Sequence, residues 1–153
     1  MTAIRDIITI IAVSLTLFGC NSNHVYYEYK PVDLDGWNKD SAVAFAYNVS
    51  DTTSLYDVIL HVRHNENYRY QNMWLFINTN EQNDTIEFYL ADERGRWLGN
   101  GHKSLIDMPI LFEENKQYAD TGAYVLSIRH GMRNDELAGI SDIGVEIIRH
   151  GKK

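Results

Sequence analysis

"LYDVILHVRHNENYRYQNMWLFIN" (55–78) carries two kinds of apolar spacing around one polar interval. In its first ten residues Tyr56, Val58, Leu60 and Val62 fall at every second position. Side chains on a strand alternate between faces with that period, whereas a helix needs 3.6. The last seven residues, "NMWLFIN" (72–78), are almost continuously apolar, as in a strand covered on both faces, and Trp74 is expected in the core. "HNENYRYQN" between them is rich in turn-forming Asn. The unit reads as strand, turn, strand.

The same period recurs outward in both directions. "AVAFAYNV" (42–49) alternates through Val43, Phe45 and Tyr47, and "DTIEFYLAD" (84–92) through Ile86, Phe88 and Leu90. "GAYVLSIRH" (122–130) alternates through Tyr124, Leu126 and Ile128, and "DIGVEIIRH" (142–150) through Ile143, Val145 and Ile147. Turn-rich clusters such as "NVSDTTS", "NTNEQND", "DERGRW" and "RNDELAG" separate them. "LFEENKQY" (111–118) reads as one helical turn or a loop. Seven to nine short strands without alternating helices predict an all-β fold. The expected form is a two-sheet antiparallel β-sandwich, with a jelly roll as one candidate arrangement.

Composition agrees. Of 153 residues, 44 % are hydrophobic, 23 % charged and 12 % aromatic, ten of them Tyr. Aromatic richness suits strands. The formal net charge of −7, without a basic stripe, excludes a nucleic-acid backbone as partner.

The N-terminus reads as an address. "IITIIAVSLTLF" (7–18) is apolar but too short to span a bilayer, which takes about 20 residues. It fits a signal-peptide core behind Arg5. "LFGC" ends in Cys20, the chain's one cysteine, and resembles a bacterial lipobox, although Phe18 is bulkier than usual there. The expected organisation is a lipoprotein signal peptide at 1–19, lipidated Cys20 with a polar tether at 20–34, and a β-sandwich domain at 35–153. Each buried methylene of an acyl chain contributes about 0.8 kcal/mol, so a multiply acylated Cys20 would hold the protein at a membrane. No acidic run follows Cys20, which favours the periplasmic face of the outer membrane.

"HVRH", "SIRH" and "IIRH" repeat an Arg-His pair and raise the question of a metal or catalytic centre. Strand geometry sets His61 and His64 on opposite faces, so they cannot share an ion. His61 and Arg63 are expected on the polar face, and His130 and His150 at half-exposed strand ends. No metal site and no cofactor are expected. No GxSxG, HExxH, P-loop or dinucleotide fingerprint occurs, and Asp92/Glu93 and Glu113/Glu114 read as solvated loop charges. No enzymatic activity is expected.

Taken in order, the lipobox, "YYEYKP", "GWNKDSAVAFAY", "HVRHNENYRYQNMWLFI", "DERGRWLGNG", "DTGAYVLSIRHGMR" and "LAGISDIGVEI" resemble the GldH gliding-motility lipoproteins of Bacteroidota. The resemblance implies a lipid-anchored envelope protein. It would support gliding and the associated outer-membrane secretion, with other gliding and secretion proteins as partners. It implies no reaction, and only Cys20 carries over, as the lipidated residue.

Within these motifs Tyr68, Tyr70 and Trp97 are candidates for surface binding. The structural alternative sets the tyrosine rings over a sheet edge, Asn72 on the turn backbone and Trp97 over glycine turns. "GISDIG" reads as a tight turn into the last strand. Ser41, Thr52 and Thr85, each after an Asp, resemble the O-glycosylation sites of exported Bacteroidota proteins. A glycan-binding module is the competing function, since small sandwiches can stack sugars on exposed aromatics. A row of exposed rings on one face would favour it, and buried rings would oppose it.

Overall fold

A computed structural model describes residues 23–33, 35–80, 82–102 and 104–151. The signal peptide and Cys20 therefore lie outside the described residues. The chain is a β-sandwich, all antiparallel, with no helix among the described residues. Its strands are β1 (His24–Pro31), β2 (Trp37–Asn38), β3 (Val43–Val49), β4 (Leu55–His64), β5 (Asn72–Thr79) and β6 (Asn83–Tyr89). They continue as β7 (Asn100–His102), β8 (Leu105–Lys116), β9 (Gly122–His130), β10 (Glu136–Leu137) and β11 (Ile140–His150).

A five-stranded sheet has the order β1-β11-β4-β8-β7, and a four-stranded sheet the order β3-β9-β5-β6. The short β10-β2 ribbon stands beside them. The alternation seen in the sequence becomes the core. Tyr56, Val58, Leu60 and Val62 of β4 and Ile143, Val145 and Ile147 of β11 face inward from one sheet. Phe45, Tyr47 and Val49 of β3, Met73, Leu75 and Ile77 of β5, and Leu126 and Ile128 of β9 meet them from the other. All of these side chains are buried in one cluster.

Aromatics close both ends of this core. At one end the rings of Tyr56, Tyr118 and Tyr124 pack edge to face, and the hydroxyls of Tyr47 and Tyr118 lie 3.1 Å apart. At the other end Tyr68 and Trp97 enclose His64. A buried tyrosine is stable there only if its hydroxyl finds a partner. Tyr56 donates to the Asp51 carbonyl at 2.6 Å, and Tyr68 to the Asn72 carbonyl at 2.8 Å.

Several expectations need correction. Residues 24–31, read as tether, form β1, a full edge strand paired with β11 from His24 to Pro31. Residues 111–116 are no helical turn or loop but the end of β8; a bulge there faces Tyr56 to Ile59. Asn115 adopts a φ of 54° at that bulge and donates its amide to Asp57. β5 is covered on one face only: Trp74 is 38 % and Phe76 43 % exposed. The second sheet packs against one side of β5, and nothing among the described residues covers the other. "GISDIG" is a turn only at its first residue: Gly139, at a φ of +88°, closes a turn into β11, which runs on from Ile140 through Gly144.

Candidate functional site

The three predicted binding residues meet at one end of the sandwich, where they line a groove of about 320 Å³ together with Arg69, Asp92 and Glu93. Tyr68 is buried, with its ring 6.0 Å from His64 and 6.5 Å from Trp97. Burial raises its pKa above the ordinary tyrosine value. It is therefore a core residue. Its entry into the core depends on Gly139, which has a φ of +88°. A Cβ there would stand 2.3 Å from the Tyr68 amide nitrogen, so only glycine fits. Trp97 is half-buried against His64, at a ring distance of 4.6 Å. Tyr70 is half-buried, and its hydroxyl donates to Asn134 Oδ1 at 2.5 Å. The Asn72 side chain does not cap the turn; its amide donates to Glu87 at 2.6 Å.

The histidines part company as strand geometry requires, but not in their burial. His64, on the face opposite His61, and His130 are both fully enclosed between the sheets, so His130 is not half-exposed at its strand end as expected. Continuing the period-two count one step from Val62 and from Ile128 puts both on the inward face. His130 Nε2 lies 2.8 Å from the Trp37 carbonyl. Burial lowers the pKa of both imidazoles. His150 instead pairs with Asp57 at 2.7 Å.

His61 does point outward with Arg63, yet only 6 % of it is exposed. Here the outer face of the five-stranded sheet carries a polar network. His61 Nε2 lies 3.0 Å from Glu146 and Nδ1 lies 3.4 Å from Asp107. Glu146 also takes His24 Nδ1 at 2.7 Å. Tyr29 donates to Asp107 at 2.6 Å, and the Arg63 guanidinium lies 3.5 Å over the Tyr29 ring. Burial and the Asp107 bond raise the Tyr29 pKa.

Gly144 makes this network possible. It pairs with Tyr29 on one side and His61 on the other. A Cβ at Gly144 would lie 2.7 Å from the Tyr29 ring and 3.0 Å from the His61 Cβ. Its backbone is ordinary, so glycine is needed for room rather than for a turn. Among the described residues no group of three His, Cys, Asp or Glu could hold a metal. The network binds β1 to its neighbours; each carboxylate already has partners.

The outer face of the four-stranded sheet is the opposite case. Outward residues along β5 and the approach to it form one line: Tyr70, Asn72, Trp74, Phe76 and Asn78. Phe76 sits opposite Arg129 of β9 and Thr85 of β6. Exposed Ala44, Ala46 and Val125 extend the apolar surface sideways across β9 to β3. A groove of about 450 Å³ is lined by Trp74, Met132 and Arg133, and one of about 380 Å³ by Phe76, Thr85 and Arg129. The continuous apolar run at 72–78 was the sequence signal for this row, taken there for burial. Of the glycosylation candidates, Ser41 and Thr85 are exposed and Thr52 is half-buried.

With this geometry in place, comparison with known proteins places the chain. The family model for GldH lipoprotein matches residues 24–147. The protein belongs to the GldH lipoprotein family. The matched span starts at the first residue of β1, so the edge strand belongs to the family fold.

A relative named gliding motility lipoprotein GldH homolog, from Christiangramia forsetii, is 33 % identical over 84 % of this chain and 85 % of its own. Gliding motility lipoprotein GldH of Flavobacterium johnsoniae is 29 % identical over 90 % of this chain and 92 % of its own. Among solved structures, the infectious bursal disease virus VP2 subviral particle shows a TM-score of 0.32 at 18 % identity. That match covers 82 % of this chain and 30 % of the other, too slight a likeness to carry fold or function across.

Proposed function

We propose that this GldH lipoprotein is anchored through Cys20 to the periplasmic face of the outer membrane. There it supports gliding motility and the protein secretion associated with it, acting by contact with other envelope proteins rather than by catalysis. The observation that carries this reading is the family match over residues 24–147, with relatives named as gliding-motility lipoproteins. The folded domain is consistent with it. The conspicuous polar cluster on the five-stranded sheet is engaged within itself, while the four-stranded sheet leaves an apolar face open.

The test is genetic. The gene is deleted from its host and restored as wild type or as Cys20→Ser. Deletion should abolish surface movement or deplete secreted and cell-surface proteins. Wild type should restore both, and Cys20→Ser should leave the protein out of the membrane fraction. A deletion strain that moves and secretes like its parent overturns the proposal.

Glycan binding is the second reading, favoured by the exposed Trp74 and Phe76.

A further inference from the structure

We infer that the outer face of the five-stranded sheet, at the start of β1, rests on lipid headgroups, with Tyr27 and Leu111 as its contacts. The inference rests on the Cys20 anchor proposed above and names the surface which that anchor brings to the membrane.

The first observation is the length of chain left for a tether. The Asn23 carbonyl accepts the Arg149 amide at 2.8 Å, and β1 starts at His24. Cys20 stands three residues before Asn23. Three residues of fully extended chain reach at most about 11 Å. An acylated Cys20 would therefore hold the start of β1 within that distance of the membrane surface. A surface beside His24 then meets headgroups at a high effective concentration, so a weak contact is enough to keep it there. A protein partner or a second copy would have to displace the membrane from the corner to which it is tied.

The second observation is what lies beside that corner. Tyr27, Glu146, Ile59 and Leu111 are register partners in turn across β1, β11, β4 and β8. Ile59 stands between the inward Val58 and Leu60, so it faces outward. Cross-strand partners share a face. The four residues form one outer row, roughly 14 Å wide at about 4.8 Å per strand. Both ends of the row are open: Tyr27 is 55 % and Leu111 53 % exposed. Val25, at the bulge between Tyr27 and the anchor, is exposed as well. Tyrosine rings favour the boundary between water and membrane, and aliphatic side chains gain by leaving water there.

The third observation is that the carboxylates of this region are held. Glu146 has His24 at 2.7 Å and His61 at 3.0 Å. Asp57, one row nearer the start of β1, has His150 at 2.7 Å and the Asn115 amide at 2.9 Å. Glu114, further along β8, is exposed and lies outside the row. The contact is apolar and needs no charged headgroup. A sandwich lying on this face turns Trp74 and Phe76, on the other sheet, away from the membrane.

The experiment uses the full lipidated protein. Cys20 is the chain's one cysteine, so an acylated parent has no free thiol. One cysteine is added at Leu111, Thr53, Phe76 or Ala138 and labelled with a small environment-sensitive fluorophore. The protein is placed in phosphatidylcholine vesicles, a share of whose headgroups carries a nitroxide quencher. Position 111 should be quenched at least about fivefold more than position 76, because two sheets about 10 Å apart separate them. Position 138, in the turn before β11, should resemble position 76, and position 53, in the connection into β4, should fall between. Tyr27→Ser in the Leu111→Cys chain should lower the quenching at least about threefold, by removing a ring from the boundary. Thermal unfolding should not move, since Tyr27 is exposed.

A parent that takes up the label has a free Cys20, and that result removes the anchor and this contact together. With the parent silent, equal quenching at 111 and 76 overturns the contact and leaves the anchor standing. So does quenching strongest at position 53, which means a sandwich standing on its end. A signal at 111 that grows with the protein-to-lipid ratio, the mark of a second copy, overturns it too, as does quenching indifferent to Tyr27→Ser.

Discussion

The two outer faces of this sandwich have solved the same problem in different ways. Each is the uncovered side of a sheet, and each carries aromatic and charged side chains. On the five-stranded sheet they close on one another: Arg63 lies on Tyr29, Tyr29 bonds Asp107, and His61 lies between Asp107 and Glu146. On the four-stranded sheet Trp74, Phe76 and Arg129 meet nothing comparable. Polar residue types on a surface are therefore no guide to a binding site. The informative feature is whether their bonding capacity is spent. The ion-pair network stabilises the fold, whereas exposed apolar side chains, Tyr27 and Leu111 on one sheet and Trp74 and Phe76 on the other, are not needed for it.

This contrast predicts opposite responses to mutation, beginning with the largest. Glu146→Ala removes the carboxylate shared by His61 and His24 and leaves His61 nearly buried without it. Losing one partner of an enclosed pair is costly, and about 2–4 kcal/mol should disappear from the urea unfolding free energy. A loss below about 0.5 kcal/mol, the range of ordinary surface changes, would show that the network is decorative.

Gly144→Ala should come next. Its Cβ has no room beneath Tyr29, and forced overpacking costs about 1–3 kcal/mol. In a Tyr29→Ala background the same change should cost less, by at least about 0.5 kcal/mol of coupling. An additive double mutant would mean that Tyr29 is not what Gly144 accommodates.

Much of this was legible in the chain, and the failures have physical causes. The bounds of β4 and β9 coincide with the alternating runs at 55–64 and 122–130, because period-two alternation is a local property. The inward face of β5 was also legible. Its outward face was not, because Trp74 and Phe76 look the same in sequence whether or not a further layer covers them. β1 was misread as tether because "HVYYEYKP" places tyrosines on both faces. Tyr26 packs toward the core, while Tyr27 and Tyr29 lie over His61. His61 shows the same limit: its outward direction follows from spacing, but its burial is imposed by a strand some thirty residues earlier. His130 is a different kind of miss. Strand parity already set it inside, as it did His64, and its polarity alone suggested otherwise.

Those two enclosed histidines give the third expectation, smaller than either substitution on the network. Burial lowers their folded-state pKa values below the unfolded value of about 6.5. The unfolded chain then binds more protons as pH falls through about 6.5, so stability declines on acidification. Above that pH both states are neutral and the effect is absent. The urea midpoint should fall between pH 7.5 and 5.5. Replacing His64 or His130 by Asn should flatten that fall even if it lowers stability overall. An unchanged slope in both variants would assign the acid sensitivity to other groups.

The smallest stability effect is expected on the exposed row of β5. Trp74→Ser removes the biggest side chain of the open row, but the indole contributes little to the core that β5 shares with β9. Surface substitutions away from caps, strain and buried partners stay within about 0.5 kcal/mol. Tyr68→Ala, six residues earlier in the same strand–turn–strand, deletes a buried ring and its bond to Asn72, which should cost about 3–5 kcal/mol. The pair separates two uses of an aromatic residue within one motif. If Trp74→Ser destabilised the domain as Tyr68→Ala does, the row would be structural and the two faces would be alike. If it leaves the unfolding curve in place, the exposed row is not what holds the sheet together, and the fold does not depend on it.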